Sequence, residues 1–292
     1  MTQASLSHFV LAILVATLPS AAATSQTKPI RIGIAKTFLV DQPKSIAEIA
    51  EDDFKDVLKK TTGLDGELAS KYSATEIADK LGRKQLDFGI FHAHEYAWLQ
   101  KKHPDLRALL IAASKQPERA YVIVHQNCPA KTIADLRGKP VDMPIGTKEP
   151  CRVFLEKYCL DAKHKDLAAF FSAIEKSSAP NDALDNVARA KVQAAVIDSA
   201  ALDFYKEVRG PVFAKNLRVL QQSDAFPRAV ILYQPGTLVE ATLNQFRDGL
   251  LKAHANADGR AMMKSWGIEA FEPVGKDYDK RLAEVLKAYP PR

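Results

Sequence analysis

The segment from Leu86 to Leu99 reads LDFGIFHAHEYAWL and places a short apolar run directly before a cluster of polar side chains. The run Asp87–Phe91 is too short for a helix, so it predicts a buried strand. Helical sequence follows at once, over Glu95–Lys102. Because ligands of open α/β sheets lie beyond the carboxyl ends of the strands, we expect an α/β fold with a binding site at this turn.

Strands and helices alternate along the rest of the chain. Strands are predicted at Ile30–Ile34, Leu68–Lys71 and Leu106–Ala113, with a helix over Ser45–Thr61 and a capping box at Ser73–Glu76. This alternation predicts a mostly parallel, doubly wound sheet.

The strand–helix pattern restarts after the strand Ala120–His125 and returns near Ala229. We therefore predict two α/β lobes, each a mostly parallel sheet flanked by helices, with the second inserted in the first. The first lobe comprises residues 24–123 and 226–292, and the second comprises residues 124–225. The remaining predicted strands are Lys139–Met143, Val192–Ile197, Leu217–Gln221 and Ala229–Tyr233, with helices over Glu149–Leu160, Ala183–Ala190, Ser199–Val208 and most of Leu238–Tyr289, broken at Gly259 and Gly267.

Residues 1–23 predict a signal peptide. Phe9–Leu18 is an apolar run too short to span a bilayer, and Ala21 and Ala23 match the small-residue pattern before a cleavage site. No cysteine precedes Cys128, so no lipid anchor is expected at the N-terminus. We expect cleavage near Ala23 and a soluble, exported periplasmic protein.

The composition narrows the function classes. Hydrophobic residues make up 47% and charged residues 26% of the chain, which is typical of a globular protein. The net charge of +6 is compatible with an anionic ligand. Basic residues are scattered and no aromatic and basic stacking platform stands out, so no nucleic-acid partner is expected.

Three cysteines in an exported chain allow one disulfide. Cys151 and Cys159 lie eight residues apart in a predicted helix, about 12 Å between Cα atoms, which exceeds disulfide reach. The bridge must therefore use Cys128 with one of the other two, and we predict Cys128–Cys159.

Four segments in this order resemble the phosphate-, phosphite- and phosphonate-binding periplasmic proteins of ABC transporters, a branch of the type II periplasmic binding fold. They are LDFGIFHAHEYAWL from Leu86, KTIADLRGKPVDM from Lys131, NDALDNVARAKVQAAVID from Asn181 and LQQSDAFPRAVIL from Leu220. The resemblance covers essentially the whole mature chain. It implies two lobes that close over a small anion by hinge motion, no cofactor, no catalysis, and a monomer that docks on a membrane permease.

The resemblance also implies a set of ligand contacts. Family members hold the anion at the start of a second-lobe helix, in a Ser-Thr-Ser-Gly-like run that aligns with Gly146, Thr147, Lys148 and Glu149. Tyr96 matches a ligand-contacting tyrosine, and a family histidine aligns with Asn181. The predicted ligand-binding residues are Lys36, Thr37, His92, His94, Glu95, Tyr96, Tyr121, Gly146, Thr147, Lys148, Glu149, Cys151, Arg152, Asn181 and Asp198.

Three alternatives stay open from the residues. His92, His94 and Glu95, with Glu149 and Cys151, are side chains that suit a transition metal or a metal chelate. Cys151 at a helix start, with one of the histidines as base, would suit nucleophilic catalysis. The same two-lobed fold also serves periplasmic sensors or adaptors. We expect His92 and His94 to titrate near neutral pH if they line the cleft.

Overall fold

The computed structural model describes residues 28–40 and 44–291, and these residues form two lobes, each built on one β-sheet. The predicted signal peptide lies outside the described residues. The strands are β1 (Ile30–Ile34), β2 (Gly66–Ala69), β3 (Phe88–Phe91), β4 (Arg107–Ala113), β5 (Ala120–His125), β6 (Pro140–Asp142), β7 (Ala173–Glu175), β8 (Ala194–Asp198), β9 (Leu217–Gln222), β10 (Val230–Tyr233) and β11 (Ala270–Pro273).

Helices cover both sheets. They are α1 (Lys44–Thr62), α2 (Ala74–Gly82), α3 (Ala93–Leu99), α4 (Glu149–Cys159), α5 (Leu167–Phe170), α6 (Pro180–Ala188), α7 (Ser199–Asn216), α8 (Glu240–Leu251), α9 (Ala257–Ser265) and α10 (Tyr278–Ala288). Short 3₁₀ turns lie at Lys36–Leu39, Ile133–Leu136 and Ala253–Ala255. No helix in the described residues has both the length and the apolar character needed to cross a bilayer.

Each sheet contains parallel strands interrupted by a strand of opposite direction, and in the first sheet the edge strand β11 also runs antiparallel to its neighbour β4. The first sheet has the order β11-β4-β10-β3-β1-β2, in which β10 runs antiparallel to both β3 and β4. The second has the order β7-β6-β8-β5-β9, in which β5 runs antiparallel to both β8 and β9. Both inserted strands adjoin a connection between the lobes. The predicted fold class, an α/β protein with two lobes, is confirmed.

Two chain segments connect the lobes and pair with each other. Residues 114–119 lead from β4 to β5, and residues 223–229 lead from β9 back to β10. An antiparallel bridge joins Glu118 to Phe226, with the Phe226 N–H donating to the Glu118 carbonyl at 2.9 Å. The second sheet begins at Ala120 and ends at Gln222, so it starts earlier than the predicted boundary at residue 124.

The apolar core is continuous across the connection. One cluster of buried side chains contains Phe91 and Tyr96 of the first lobe together with Val122 and Phe154 of the second. The C-terminal helix α10 strengthens this junction, because the Tyr289 ring stacks on Phe226 and lies beneath the Lys157 ammonium of α4. The lobes therefore share apolar contacts beside the connecting segments.

Several elements differ from the sequence expectation. Strands β7 and β11 and helix α5 were not predicted, because three or four residues give too short a pattern to recognise. The predicted break at Gly259 is wrong, since Asn256 caps α9 and accepts a hydrogen bond from the Gly259 N–H at 2.6 Å. Gly267 does follow the end of α9, with a φ of +66° that favours glycine.

Ser223 holds the second connecting segment to β5. Its hydroxyl accepts a hydrogen bond from the buried Ala120 N–H at 2.9 Å and donates to the Asp224 carbonyl at 2.7 Å. We expect Ser223→Ala to lower the free energy of unfolding by about 1–2 kcal/mol, because the buried N–H loses its acceptor. Urea denaturation measures this change, with Ser172→Ala at an exposed position as the control. Equal midpoints for the two variants would contradict the assignment.

Candidate functional site

A cleft of about 880 Å³ lies between the lobes. Its first-lobe wall includes Thr37, Phe38 and His92, and its second-lobe wall includes residues 146–149 and Asp198. The connecting segments form its floor through residues 114–118 and 225–226. The turn after β3 therefore lies where the sequence predicted it, at the carboxyl end of a strand and beside the cleft.

The turn between β3 and α3 is fixed by the carboxyl group of Glu95. One of its oxygens accepts a hydrogen bond from the backbone N–H of His92 at 3.0 Å, as in a helix capping box. The other accepts from the hydroxyl of Thr37 at 2.8 Å. Glu95 is buried, so it lies beneath the cleft wall and positions His92 and Thr37 on that wall.

The two histidines of this turn pack as rings within aromatic surroundings. The imidazole of His92 stacks on Phe38 with centroids 3.8 Å apart, and that of His94 makes edge contacts with Trp98 and Phe226. Both residues are buried, and the Nε2 atom of each has no hydrogen-bond partner. His92 lines the cleft, whereas His94 lies behind it in the apolar junction between the lobes.

The facing turn of the second lobe leads into α4. Gly146 has a φ of +75°, which a glycine adopts without strain. Both the N–H and the hydroxyl of Thr147 donate hydrogen bonds to the Pro144 carbonyl and so hold the turn together. Lys148 is the N-cap of α4, Pro150 has no N–H, and the Cys151 N–H donates to the Lys148 carbonyl. Few backbone donors of this helix start are therefore available to an anion.

Lys148 is held between two carboxylates. Its Nζ atom lies 3.2 Å from Glu118 Oε1 and 3.4 Å from Asp198 Oδ2. Asp198 also caps α7 by accepting from the Ala201 N–H at 3.0 Å. Burial lowers the pKa of the Lys148 ammonium, but the two carboxylates raise it by more, so the pKa lies above its ordinary value. The three side chains together carry a negative charge when all are ionised.

Two further carboxyl groups near the cleft titrate close to neutrality. Burial raises the pKa of Glu95 to about 7, although the hydrogen bonds from Thr37 and His92 oppose the shift. Burial likewise raises the pKa of Glu149 to about 7, against the attraction of Arg152. Each of these groups therefore changes charge within the physiological pH range.

The prediction that His92 and His94 titrate near neutral pH is wrong. Burial, followed by repulsion from His94, lowers the pKa of His92 well below its usual range. Burial alone lowers the pKa of His94 to about 4. Both imidazoles are therefore neutral at neutral pH, and Glu95 and Glu149 are the groups of this site whose pKa values lie near 7.

The structure brings together about half of the predicted ligand-binding residues. Thr37, His92, Gly146, Thr147, Lys148, Glu149 and Asp198 line the cleft. The others lie outside its lining: Lys36, His94, Glu95, Tyr96, Tyr121, Cys151, Arg152 and Asn181. Tyr96 is buried against the C-terminal helix because α3 packs on α10, and Cys151 is buried within α4.

Sequence reasoning missed the residues of the connecting segments. Glu118 and Phe226 line the cleft from the two segments, and Ser199 fixes the first segment by accepting from the Arg119 N–H and donating to the Pro117 carbonyl. The signal available in the sequence is the polar run Gln116-Pro117-Glu118-Arg119 between two apolar strands. A run of this kind marks a crossing between lobes, and its residues adjoin any ligand held there.

The predicted Cys128–Cys159 disulfide is absent from the structure, in which all three cysteines of the described residues are buried and none is joined in a disulfide. Cys128 lies at the end of β5, where its Sγ accepts a hydrogen bond from Gln193 at 2.9 Å. Burial raises the pKa of the Cys151 thiol well above its usual range, which disfavours the thiolate that nucleophilic catalysis requires.

No three His, Cys, Asp or Glu side chains within the described residues are placed to hold one metal ion. The His92 and His94 rings stack at 5.4 Å with an interplanar angle of 16° and do not converge on a common point. Both carboxyl oxygens of Glu95 are already engaged by Thr37 and the His92 N–H.

The family model for the phosphonate ABC transporter periplasmic substrate-binding protein matches residues 38–278. The chain belongs to this family. As a member, it is the solute-binding component of an ABC transporter and not an enzyme, and its partners are a small-molecule ligand and a membrane permease. The resemblance predicted from four sequence segments is confirmed.

Solved structures share the fold at low sequence identity. A Xanthomonas citri protein bound to ATP is 16% identical over 89% of this chain and 96% of its own, with a TM-score of 0.61. PhnD1 from Prochlorococcus marinus, in complex with methylphosphonate, is 11% identical over 89% and 97%, with a TM-score of 0.60. A binding component of an ABC phosphonate transporter from Pseudomonas aeruginosa is 15% identical over 88% and 85%, with a TM-score of 0.58. Among curated proteins, none matches the sequence.

The raised pKa of Glu95 predicts a pH-dependent effect on stability. The folded-state pKa of about 7 exceeds the ordinary value of 4.5, so this group lowers the stability of the fold progressively as pH rises from about 4.5 to about 7. Glu95→Gln keeps the neutral form and can satisfy both Thr37 and the His92 N–H. We expect the variant to gain up to about 3 kcal/mol relative to the native protein between pH 5 and pH 8.

Urea denaturation at the two pH values measures this gain. Glu284→Gln, at an exposed position of α10, is the control and should show no such trend. A constant difference between Glu95→Gln and the native protein at both pH values would contradict the assignment.

Proposed function

We propose that the cleft binds a small oxyanion of the phosphonate or phosphate type, with Lys148 as its cationic contact. The observation that carries this proposal is the position of Lys148, which is the N-cap of α4 and lies in the cleft between the lobes. The site is also the place where the family resemblance aligns an anion-binding run. We further propose that the protein is a monomer, exported by cleavage near Ala23.

The proposed binding mode uses an N–H of the Lys148 ammonium. Glu118 and Asp198 flank this ammonium on two sides and keep it charged, and of its three N–H donors at least one is available to the ligand. The helix dipole adds about half a positive charge at the same point. Closure of the lobes about the connecting segments would then bring Thr37 and His92 against the ligand from the opposite wall.

This mode differs from a pocket of hydroxyls and backbone N–H groups. The Thr147 hydroxyl is used within its own turn, and Pro150 removes a donor from the helix start. The carboxylates around Lys148 also repel an anion of high charge. The arrangement therefore favours a singly charged ligand over a doubly charged one.

Replacement of Lys148 tests the cationic contact. We expect Lys148→Met to weaken binding of methylphosphonate and phosphate at least about 30-fold, since a hydrogen bond from a charged group is lost and two carboxylates are left unpaired. Isothermal titration calorimetry against methylphosphonate, phosphate, phosphite and sulfate measures the change. Lys280→Met, at an exposed position of α10, is the control.

A second variant shows whether weaker binding by Lys148→Met comes from misfolding. Lys148→Met combined with Glu118→Gln removes the charge pair together, so it does not leave Glu118 as an unpaired buried carboxylate. If the folded double variant binds these anions as tightly as the native protein, Lys148 is not their contact. If the native protein binds none of them, the proposed function is wrong.

Glu149 predicts a pH dependence of binding. Its pKa of about 7 means that it is neutral on the acid side and repels an anion on the alkaline side. We expect Glu149→Gln to bind methylphosphonate as tightly as the native protein near pH 6 and several-fold more tightly near pH 8. The ionisation of the ligand does not affect the ratio of the two dissociation constants, because both proteins are measured with the same ligand at the same pH. A ratio that does not change with pH would contradict the prediction.

A further inference from the structure

The cleft is large for a small anion alone. Its volume is about 880 Å³, and pockets of about 300–1,000 Å³ commonly enclose organic ligands of the size of a drug molecule. A phosphonate group that carries a single methyl fills only a small part of such a space. The remaining lining therefore indicates what else the ligand carries.

Part of the lining belongs to the apolar core of the first lobe. The cluster of buried side chains between the first sheet and helices α1, α8 and α9 reaches the cleft, together with partly buried side chains packed against it. We call this part of the lining the apolar recess, and its six residues are Phe54, Ile231, Met262, Trp266, Ile268 and Phe271. These side chains contribute mostly carbon atoms, so the recess favours an apolar group over a polar one.

The burial of these side chains shows how the recess is arranged. Phe54, Met262 and Phe271 are at most 4% exposed, whereas Trp266 and Ile268 are half-buried. The first three therefore lie deeper in the lobe, and the last two lie nearer the open cleft. An apolar group that covers Trp266 and Ile268 removes their exposed surface from water, which stabilises the complex.

The charged groups of the lining are divided between the two sides of the cleft. Lys264 and Arg281 of the first lobe and Lys115 and Arg228 of the connecting segments line it. Both lysines are exposed, and each arginine forms an ion pair with a carboxylate outside the lining. Within the described residues no carboxylate of the first lobe lines the cleft, and the carboxylates of the lining belong to the second lobe and to Glu118. The side that holds the apolar recess therefore attracts an anion.

We propose that the ligand is an amphiphilic anion, with its phosphonate or phosphate head at Lys148 and an apolar chain or ring in the apolar recess. This inference rests on the proposed function and names the substrate class of the same site. Such a ligand spans the cleft, since Lys148 belongs to the second lobe and the recess to the first. Each methylene group that it buries in the recess raises the affinity about fourfold.

Two ligands with the same head group test the proposal. Calorimetry at one pH should show that hexylphosphonate binds at least about 30-fold more tightly than methylphosphonate, because burial of three of its five additional methylene groups suffices for this ratio. Its binding should also have the more negative heat-capacity change, which reports burial of apolar surface. Methylphosphonate should displace it, since both head groups occupy the same position.

Two variants alter the recess in different ways. Ile268→Ser removes apolar surface near the open cleft, and Ala112→Leu adds volume at a side chain that lines the cleft and packs on the same cluster. Each should lower the ratio of the two affinities at least fivefold and keep the affinity for methylphosphonate, which shows that the variant is folded. Val239→Ser is the control, because Val239 is an exposed apolar residue of the same lobe that does not line the cleft.

The outcomes distinguish this inference from the proposed function. If the native protein binds both phosphonates equally, or if methylphosphonate does not displace hexylphosphonate, the apolar recess is not part of the ligand site, while oxyanion binding stands. The inference is also overturned if both recess variants keep the native ratio, or if Val239→Ser lowers the ratio as much as they do. If neither phosphonate binds the native protein, the proposed function fails and this inference fails with it.

Discussion

The pairing of the two connecting segments is the constraint on which the site depends. Residues 114–119 and 223–229 run antiparallel and meet at the bridge between Glu118 and Phe226. Because one bridge restrains the segments less than a full ladder of hydrogen bonds, the proposed closure of the lobes would bend the chain at this bridge. The same bridge places Glu118 beside Lys148 and Phe226 beside His94, so it supports both walls of the cleft.

Much of the fold could be predicted because its strands are apolar runs followed by helices. The strand Ala120–His125 was predicted with its observed bounds, since its residues are almost all buried and its neighbours are polar. The strand Ala270–Pro273 could not be found, because it pairs only through β4 and depends on a contact distant in sequence. A short strand at a sheet edge forms because it pairs with a neighbouring strand. The local sequence pattern carries no information about which strand that neighbour is.

The site was predicted where a residue follows directly from a strand end, as for His92 and Asp198. It was not predicted where tertiary packing decides the direction of a side chain. Tyr96 lies one helical turn from His92 but is turned toward α10, which begins far along the chain. Glu118 was missed because it belongs to no helix or strand, and only the return of the chain beside it creates its surroundings.

The turn after β3 and the start of α4 bury two carboxyls and two imidazoles close together. In the folded protein Glu95 and Glu149 hold their protons up to about pH 7, His94 stays unprotonated down to about pH 4, and burial lowers the pKa of His92 well below its usual range. Between about pH 4.5 and 6.5, unfolding makes the two acids release protons and the two bases take up a similar number. For these four groups the net exchange with solvent is close to zero near the middle of this range, so their combined contribution to stability changes little with pH there, and the two acids offset the two bases.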